Sequence, residues 1–342
     1  MIKTNYLKKP KFFIFSIKNN LSNLLFSASI FFTMILIISK PDIFSKSTIN
    51  GLNLFFYSVL PGLFPFMFLT KLLTELGTVF KISKRFSPVS QKLFGTPGVS
   101  LYCFFMSILS GYPIGAKIIH DLYLKNLITK EDAKRMSIFC TTSGPIFVIG
   151  AVGVGMIHSF KFGLIIYISH ILSSLICGII YNLLVKNKNQ TQTQIIFATN
   201  TQNKNIFSSC LSETINSLFL VGGYITIFYL ISEAFDLLNI FNLFSWTLSP
   251  ILSIIKISPQ ELKSILFGIV EVTRGAKELS LCQNLNIPVI CALISFSGIS
   301  IIMQSLAFLK TAKIKAHNFI LTKCVQFVLS LFICKLFIIT CC

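Results

Sequence analysis

Residues 110–117 read Ser110-Gly111-Tyr112-Pro113-Ile114-Gly115-Ala116-Lys117 (SGYPIGAK) and close a long run without charged residues. Its glycines and proline interrupt helices, because glycine is conformationally free and proline lacks the N–H that an α-helix uses. Non-helical backbone survives at membrane depth only where protein or a water-filled cavity satisfies its polar groups. The stretch therefore predicts a broken or re-entrant helical hairpin, if the chain around it is a membrane protein.

The composition indicates a membrane protein. Hydrophobic residues make up 54% of the 342 residues, and charged residues make up 12%. A soluble domain carries about 25% charged residues. The net charge of +19 would suggest nucleic acid binding in a soluble protein, but most basic residues here stand at the ends of apolar runs, where they orient the chain in the bilayer. The lipid bilayer is the expected partner, and nucleic acid is not.

Uncharged stretches long enough to cross the ~30 Å hydrocarbon core recur along the chain. They are 21–39, 52–70, 93–116, 136–160, 162–185, 214–232, 237–255 and 279–309, with a weaker one near the C-terminus that Lys323 and Lys335 interrupt. They predict an all-α membrane protein with about seven to nine transmembrane segments. Charged Lys40 and Asp42 follow the first stretch, where a cleaved signal peptide would have small residues. Residues 1–50 are therefore predicted to be a cytoplasmic N-terminus and an uncleaved anchor in the cell membrane.

The remaining sequence divides into two similar halves around a polar segment. The matching residues occur in the same order in both halves and are Ser87-Pro88 with Ser249-Pro250, Gly115-Ala116-Lys117 with Gly275-Ala276-Lys277, and Ser143-Gly144 with Ser297-Gly298. Such duplication is the usual construction of secondary transporters. It predicts two repeats, residues 51–186 and 207–342, each with a broken or re-entrant hairpin and joined by a cytoplasmic linker at 187–206.

Charge placement predicts that the two repeats are inverted. Basic residues concentrate at 71–92 and at 117–135, and such loops stay in the cytoplasm. The segment between them must then enter and leave on the same side, as a re-entrant hairpin does. The corresponding loop of the second half, 233–263, has few basic residues and is predicted to be external. Within it, 237–255 is long enough to span, but we interpret it as interfacial or partly inserted by analogy with its charged first-half partner.

The hairpin is a candidate solute site, because a broken helix exposes backbone N–H groups that can hold an anionic group. Its candidate residues are Gly111, Tyr112, Pro113, Gly115 and Lys117. A tight turn with Tyr112 and Lys117 at the membrane interface is an equally good interpretation.

A second break in an apolar run adds Ser143, Gly144 and Pro145 to the candidate site, and the second half repeats it with Ser297 and Gly298. Ser and Thr side chains can bend a helix by bonding to its backbone, or they can offer hydroxyls to a ligand. Bending is the commoner explanation for any one such residue. The recurrence of the break in the second half favours function, and this gives the two explanations equal weight here.

The corresponding candidates near the second hairpin are Glu271, Thr273, Arg274 and Lys277. Glu271 and Arg274 are three residues apart, so on a helix they share a face and can pair. An unpaired charge at the bilayer centre costs about 2.5–3.5 kcal/mol. The pair therefore needs a partner, a cavity or a shallow position. A short interfacial helix that faces water is the alternative, but the match with SGYPIGAK favours a cavity-lining role.

The sequence has no motif for metal, nucleotide or hydrolytic chemistry. No two of the four histidines have the i, i+4 spacing of a helical metal site. His170 is expected to be a hydrogen-bonded packing residue. We expect no cofactor, no metal and no enzymatic activity. Thr129 and Asp132 fit the signature of a helix N-terminal capping box.

Four strings together resemble a known family: LPGLFPFMFL (60–69), SGYPIGAK (110–117), CTTSGPIFVIGAVGVGM (140–156) and GIVEVTRGAKEL (268–279). The chain resembles the sporulation integral membrane proteins of the YlbJ type over about residues 53–338. The resemblance implies a nucleoside-recognition Gate domain, also seen in nucleoside transporters and ferrous-iron transport proteins, so that the two repeats would be Gate-like. It also implies a multi-pass protein needed for heat-resistant spores, through a step in cortex formation. The Asn-Glu-Phe string that nucleoside transporters use on the sugar is missing, which argues against nucleoside as the cargo.

These patterns support two functions. The first is a transporter-like protein of a sporulating cell, with a small polar solute or a coupling ion bound between the two hairpins. The second is a non-transporting structural or assembly protein of the spore envelope that retains a transporter fold, since fold does not establish activity. A homo-oligomer fits either function. An enzyme acting on cell-wall lipid intermediates is disfavoured, because the sequence has no carboxylate pair or metal cluster near one interface.

Overall fold

The computed structural model describes residues 17–185, 205–254, 257–283 and 285–341. These residues form helices and their connections, with no β-strand among them, as predicted for an all-α membrane protein. Nearly all of the predicted linker at 187–206 lies outside the described residues. The chain divides into two compact units, residues 1–46 and 47–342.

In the first unit, the described residues belong to helix α1 (Ile17–Ser39) and to the start of α2 (Pro41–Leu54). Helix α2 begins at Pro41, a position that tolerates proline because the N–H groups of a first turn have no acceptor within the helix. Large apolar side chains of α1, such as Phe31 and Ile38, are exposed. Exposed apolar side chains suit a helix that faces lipid.

The second unit holds the other helices. In the described part they are α3 (Leu60–Glu75), α4 (Thr78–Phe94), α5 (Val99–Ser110), α6 (Ile114–Leu124), α7 (Lys130–Phe139), α8 (Phe160–Leu184), α9 (Ile206–Leu237), α10 (Ile240–Ile254), α11 (Pro259–Val270), α12 (Val272–Ser280), α13 (Ile287–Phe296), α14 (Gly298–Leu309) and α15 (Ala316–Cys341). Two wider π-helical segments, Phe55–Val59 and Ile146–Met156, precede α3 and α8.

The helix ends fall at the breaks that the sequence predicts. Helix α5 ends at Ser110 and α6 begins at Ile114, and α7 ends at Phe139, before an unwound stretch that reaches Gly144. In the second half, Glu271 separates α11 from α12. Ser297, with a left-handed φ of 73°, separates α13 from α14.

The predicted capping box of α7 is confirmed. The Thr129 hydroxyl accepts the backbone N–H of Asp132 at 3.1 Å, and the Asp132 carboxylate accepts the backbone N–H of Thr129 at 3.0 Å. The box satisfies two N–H groups that the first turn of a helix would otherwise leave without partners.

Two hydrophobic cores each draw on both halves of the sequence. In the first core, Ile119 and Met136 from α6 and α7 pack in one cluster with Leu218 and Leu309 from α9 and α14. In the second, residues of the π-helix and α8, such as Ile166, pack with residues of α12, α13 and α15. The halves therefore interlock in one unit. Their division into repeats at 51–186 and 207–342, related by inversion, stays a prediction.

Four described helical stretches are long and apolar enough to span a membrane, or up to six if each of two bent helix pairs counts as one span. The four are Phe160–Leu184, Ile206–Leu237, Ile287–Ala312 and Ala316–Thr340. The chain is thus a multi-pass membrane protein, while the count of seven to nine spans stays a prediction. Helix α10, which occupies the stretch interpreted as interfacial, has 15 residues, fewer than the ~20 of a typical span.

Candidate functional site

The two breaks of the first half touch through their backbones. Gly111 has a φ of 87°, and a Cβ atom on Gly111 would lie 2.6 Å from the backbone nitrogen of Gly144. A Cβ atom on Gly144 would in turn lie 2.9 Å from the carbonyl carbon of Ser110. Only glycine fits at both positions, because each faces backbone that cannot move aside as a side chain can. Gly115 likewise packs against the Cys140 carbonyl oxygen.

The two breaks of the second half make a corresponding contact. Gly298 has a φ of 69°, and a Cβ atom there would lie 3.0 Å from the carbonyl oxygen of Gly268 and 3.1 Å from the nitrogen of Val272. Gly298 therefore packs against the break between α11 and α12, as Gly144 packs against the break between α5 and α6.

Lys323 from helix α15 reaches the breaks of the first half. Its side chain is fully buried, and Nζ donates hydrogen bonds to the Thr141 carbonyl at 2.7 Å, to Gln326 Oε1 at 2.9 Å and to the Tyr112 hydroxyl at 3.1 Å. The amide of Gln326 donates to the Ile138 carbonyl at 2.7 Å. Lys323 and Gln326 thus donate hydrogen bonds to carbonyl groups at the C-terminal end of α7. This end of a helix carries a partial negative charge.

His170 from helix α8 connects a break of the first half to a helix of the second. The backbone N–H of Ser143 donates to His170 Nε2 at 2.9 Å, and Nδ1 lies 2.9 Å from the Ser295 hydroxyl. Since Nε2 accepts a hydrogen bond, the neutral ring carries its proton on Nδ1 and donates it to Ser295. The Tyr112 hydroxyl also lies near the side chain of Ser297.

We call this group the central polar cluster. Its members come from three helices (α8, α13 and α15) and from three helix breaks, and all are buried. They are Tyr112, Thr141, Ser143, His170, Ser295, Ser297, Lys323 and Gln326. No carboxylate of a described residue lies within ion-pair distance of Lys323. The cluster can therefore offer a cation, hydroxyls and backbone groups to a bound solute, but no negative charge.

Glu271 acts on the backbone of its own helix and not on the Arg274 guanidinium. Its buried carboxylate accepts the backbone N–H of Arg274 at 2.8 Å and so caps α12. The Arg274 guanidinium instead pairs with Glu233 at 3.0 Å and lies 3.8 Å from Asp236. The predicted side-chain pair is thus replaced by a helix cap and a separate ion pair with α9, because the break places Glu271 at the cap position.

Lys117 belongs to another polar group, between α3, α6 and α9. It pairs with Asp121 at 3.1 Å, and Asp121 also pairs with Lys71 at 3.3 Å. Lys71 reaches Glu213 at 2.7 Å. These four side chains line a cavity of about 20 Å³, which is room for about one water molecule.

The structure thus sorts the predicted site residues into groups. Those at or beside the central polar cluster are Gly111, Tyr112, Pro113, Gly115, Ser143, Gly144, Pro145, Ser297 and Gly298. Glu271 forms the adjoining break, and Thr273 follows it in the first turn of α12. Arg274 and Lys117 lie in ion pairs, and Lys277 is exposed. His170 is a buried, hydrogen-bonded residue, as expected, but its place at the centre of the cluster was not predicted. Lys323 was missed, and a lysine in an otherwise apolar stretch was the signal for it.

Comparison with known proteins agrees with the sequence patterns. The Gate family, described as "Nucleoside recognition", matches residues 56–160. "Sporulation integral membrane protein YlbJ" of Bacillus subtilis (strain 168) is 25% identical over 331 residues, which cover 90% of this chain and 81% of that protein. No solved structure matches the chain. The resemblance to the YlbJ type of sporulation integral membrane protein, with a nucleoside-recognition Gate segment, is thereby confirmed.

Proposed function

We propose that this chain is a membrane protein of spore formation whose central polar cluster binds and moves a small polar solute. The similarity to YlbJ supports the role in sporulation. The central polar cluster supports the binding of a polar solute. Solute sites of secondary transporters lie where broken helices from two repeats meet near the bilayer midplane. The meeting of Tyr112, Ser143 and Ser297 around Lys323 supports such a site.

Lys323 is the observation that carries this proposal. A cation buried in a membrane-spanning helix is expensive and marks a solute or ion pathway by default. Its three hydrogen-bond partners are neutral, and a helix C-terminus supplies only about half a negative charge. The site therefore favours a solute with a carboxylate, a phosphate or another strong acceptor group, which would complete the charge balance.

The test is metabolite profiling of the host during spore formation, with the gene deleted, restored, or restored as Lys323→Met. Transport predicts that one class of polar solute accumulates in the deletion strain, that the wild-type gene reverses this, and that Lys323→Met does not. The proposal fails if all three strains have the same profile while membrane abundance of the protein is equal.

The second candidate function is a structural or assembly protein of the spore envelope. The backbone contacts of Gly111 with Gly144, and of Gly115 with Cys140, favour it, because they close the cluster more tightly than a passage for solute requires. In this case Lys323→Met would restore both the metabolite profile and the spores, since the lysine would serve only to cap α7.

A further inference from the structure

Helix α4 presents three distinct faces, and the first one fixes it to the protein. Ser83, Ser90 and Phe94 are buried. The Ser90 hydroxyl lies 2.6 Å from that of Ser100, and the Phe94 ring stacks on Phe139 with centroids 4.2 Å apart. Because these contacts prevent the helix from rolling, the directions of its other two faces are set.

The second face is apolar and exposed. Phe86, Val89 and Leu93 are 44%, 49% and 39% exposed. They follow one another at spacings of three and four residues, so that they form one stripe along the helix. Such a stripe in contact with water would be unfavourable, whereas acyl chains would cover it at no cost in a membrane protein.

The third face is basic. Lys84, Arg85 and Lys92 are all exposed, and Arg85 and Lys92, seven residues apart, lie almost in line along the helix. None of the three forms an ion pair with a described residue. This face therefore carries three positive charges whose counter-charges come from outside the described protein.

The direction of the helix suits a position in the plane of the membrane. The part of α4 from Ser83 to Phe94 makes an angle of 86° with α5, and α5 is the apolar helix that leads into the first break. A helix with an apolar stripe beside a Lys/Arg face lies at the boundary between acyl chains and headgroups. We propose that α4 lies in this interface and binds anionic phospholipid headgroups through Lys84, Arg85 and Lys92. A soluble polyanion fits less well, because the adjoining stripe would then remain in water.

Tryptophan quenching by brominated lipids tests this proposal. Trp246 is the one tryptophan of the chain, so Trp246→Phe gives a silent background and Phe86→Trp places the probe in the apolar stripe. The full-length protein is reconstituted in phosphatidylcholine with equal mole fractions of brominated phosphatidylglycerol or brominated phosphatidylcholine. We expect both lipids to quench and the anionic lipid to be enriched about fivefold or more, since each Lys or Arg at an anionic surface adds about that factor.

Charge removal and a matched control complete the test. Lys84→Gln, Arg85→Gln and Lys92→Gln together should make the two lipids quench equally. The same change at the exposed residues Lys310, Lys313 and Lys315 should leave the preference intact. Lys84→Arg with Lys92→Arg, which keeps the charge, should also preserve it. Equal quenching in the reporter protein would overturn the proposal, and so would quenching by neither lipid, which would mean that α4 faces water or another protein.

Discussion

The Nζ of Lys323 lies 3.1 Å from the hydroxyl oxygen of Tyr112, although 211 positions separate the two residues in the sequence. This bond joins the first predicted hairpin to the last helix of the chain. The Tyr112 ring also lies 6.3 Å from the ring of His170, which bonds to Ser295 of the second half. The central polar cluster is therefore built from both halves of the chain, and changes at any of its breaks should have related effects.

Enlarging the glycines at the breaks should abolish function. Gly111→Leu, Gly144→Leu and Gly298→Leu would each force a side chain into backbone, since a Cβ atom alone would already lie within 3.0 Å of another backbone atom. We expect heat-resistant spores to be lost, as counted after heat treatment.

Gly150 and Gly223 are the matched controls for these changes, because no atom lies within 4 Å of a Cβ atom built on either. Gly150→Leu and Gly223→Leu should be mild in the same count. Normal sporulation with leucine at all three break positions would contradict the account.

Removing the His170 bridge should destabilise the protein through two hydrogen bonds at once. His170→Phe leaves the Ser143 N–H and the Ser295 hydroxyl without their partner, and each unsatisfied buried group costs about 1–3 kcal/mol. The melting temperature of the detergent-purified protein should fall. Ser295→Ala should then cost less in the His170→Phe background than in the wild type. His317→Phe, at an exposed position of α15, should have no effect, and additive losses at His170 and Ser295 would show that the bridge is not formed.

Glu271 should be required for function both as a helix cap and as a buried acceptor. Glu271→Ala removes the cap of α12, a loss of about 0.5–2 kcal/mol, and should abolish spore formation while membrane abundance stays nearly intact. Glu271→Gln keeps an oxygen for the Arg274 N–H and should retain part of the function. Glu278→Ala on the same helix is the control. A fully functional Glu271→Ala protein would mean that neither the cap nor the buried acceptor is needed for function.

The ion pair between Arg274 and Glu233 should tie α12 to α9. Arg274 Nη1 lies 3.0 Å from a carboxylate oxygen of Glu233. Arg274→Glu would replace this attraction by repulsion between two carboxylates, so the melting temperature should fall. Adding Glu233→Arg restores opposite charges and should recover part of the loss, as a coupling of about 0.5–3 kcal/mol. A double variant that is less stable than Arg274→Glu would show that the pair does not hold the two helices together.

The helix breaks could be predicted from the sequence because glycine, proline and serine act on their own backbone. The breaks at Gly111, Gly144 and Ser297 needed no knowledge of neighbours, and the capping box at Thr129 was equally local. His170 was correctly expected to be a hydrogen-bonded packing residue, but its partners, and the role of Lys323, could not be assigned in this way. Each stands alone on a helix, and its partners lie up to 211 positions away, so its role depends on how the helices pack.

The partner of Arg274 was misassigned for a related reason. Helical spacing correctly placed Glu271 and Arg274 three residues apart, but the break turned the first into a cap and freed the second for Glu233. A pattern that assumes a continuous helix fails where the helix begins. The basic loops predict which side of the membrane each loop faces, with 71–92 and 117–135 in the cytoplasm and 233–263 outside. Single-cysteine labelling would measure this.

The count of heat-resistant spores in strains that carry Lys323→Met or Lys335→Met tests the central claim most directly. Both lysines lie on α15, but Lys323 is buried in the cluster and Lys335 is exposed. With both proteins at wild-type abundance in the membrane, the account predicts that Lys323→Met loses heat-resistant spores as completely as a deletion does, whereas Lys335→Met keeps them. Normal spore numbers with Lys323→Met would contradict the claim that the central polar cluster is the functional site.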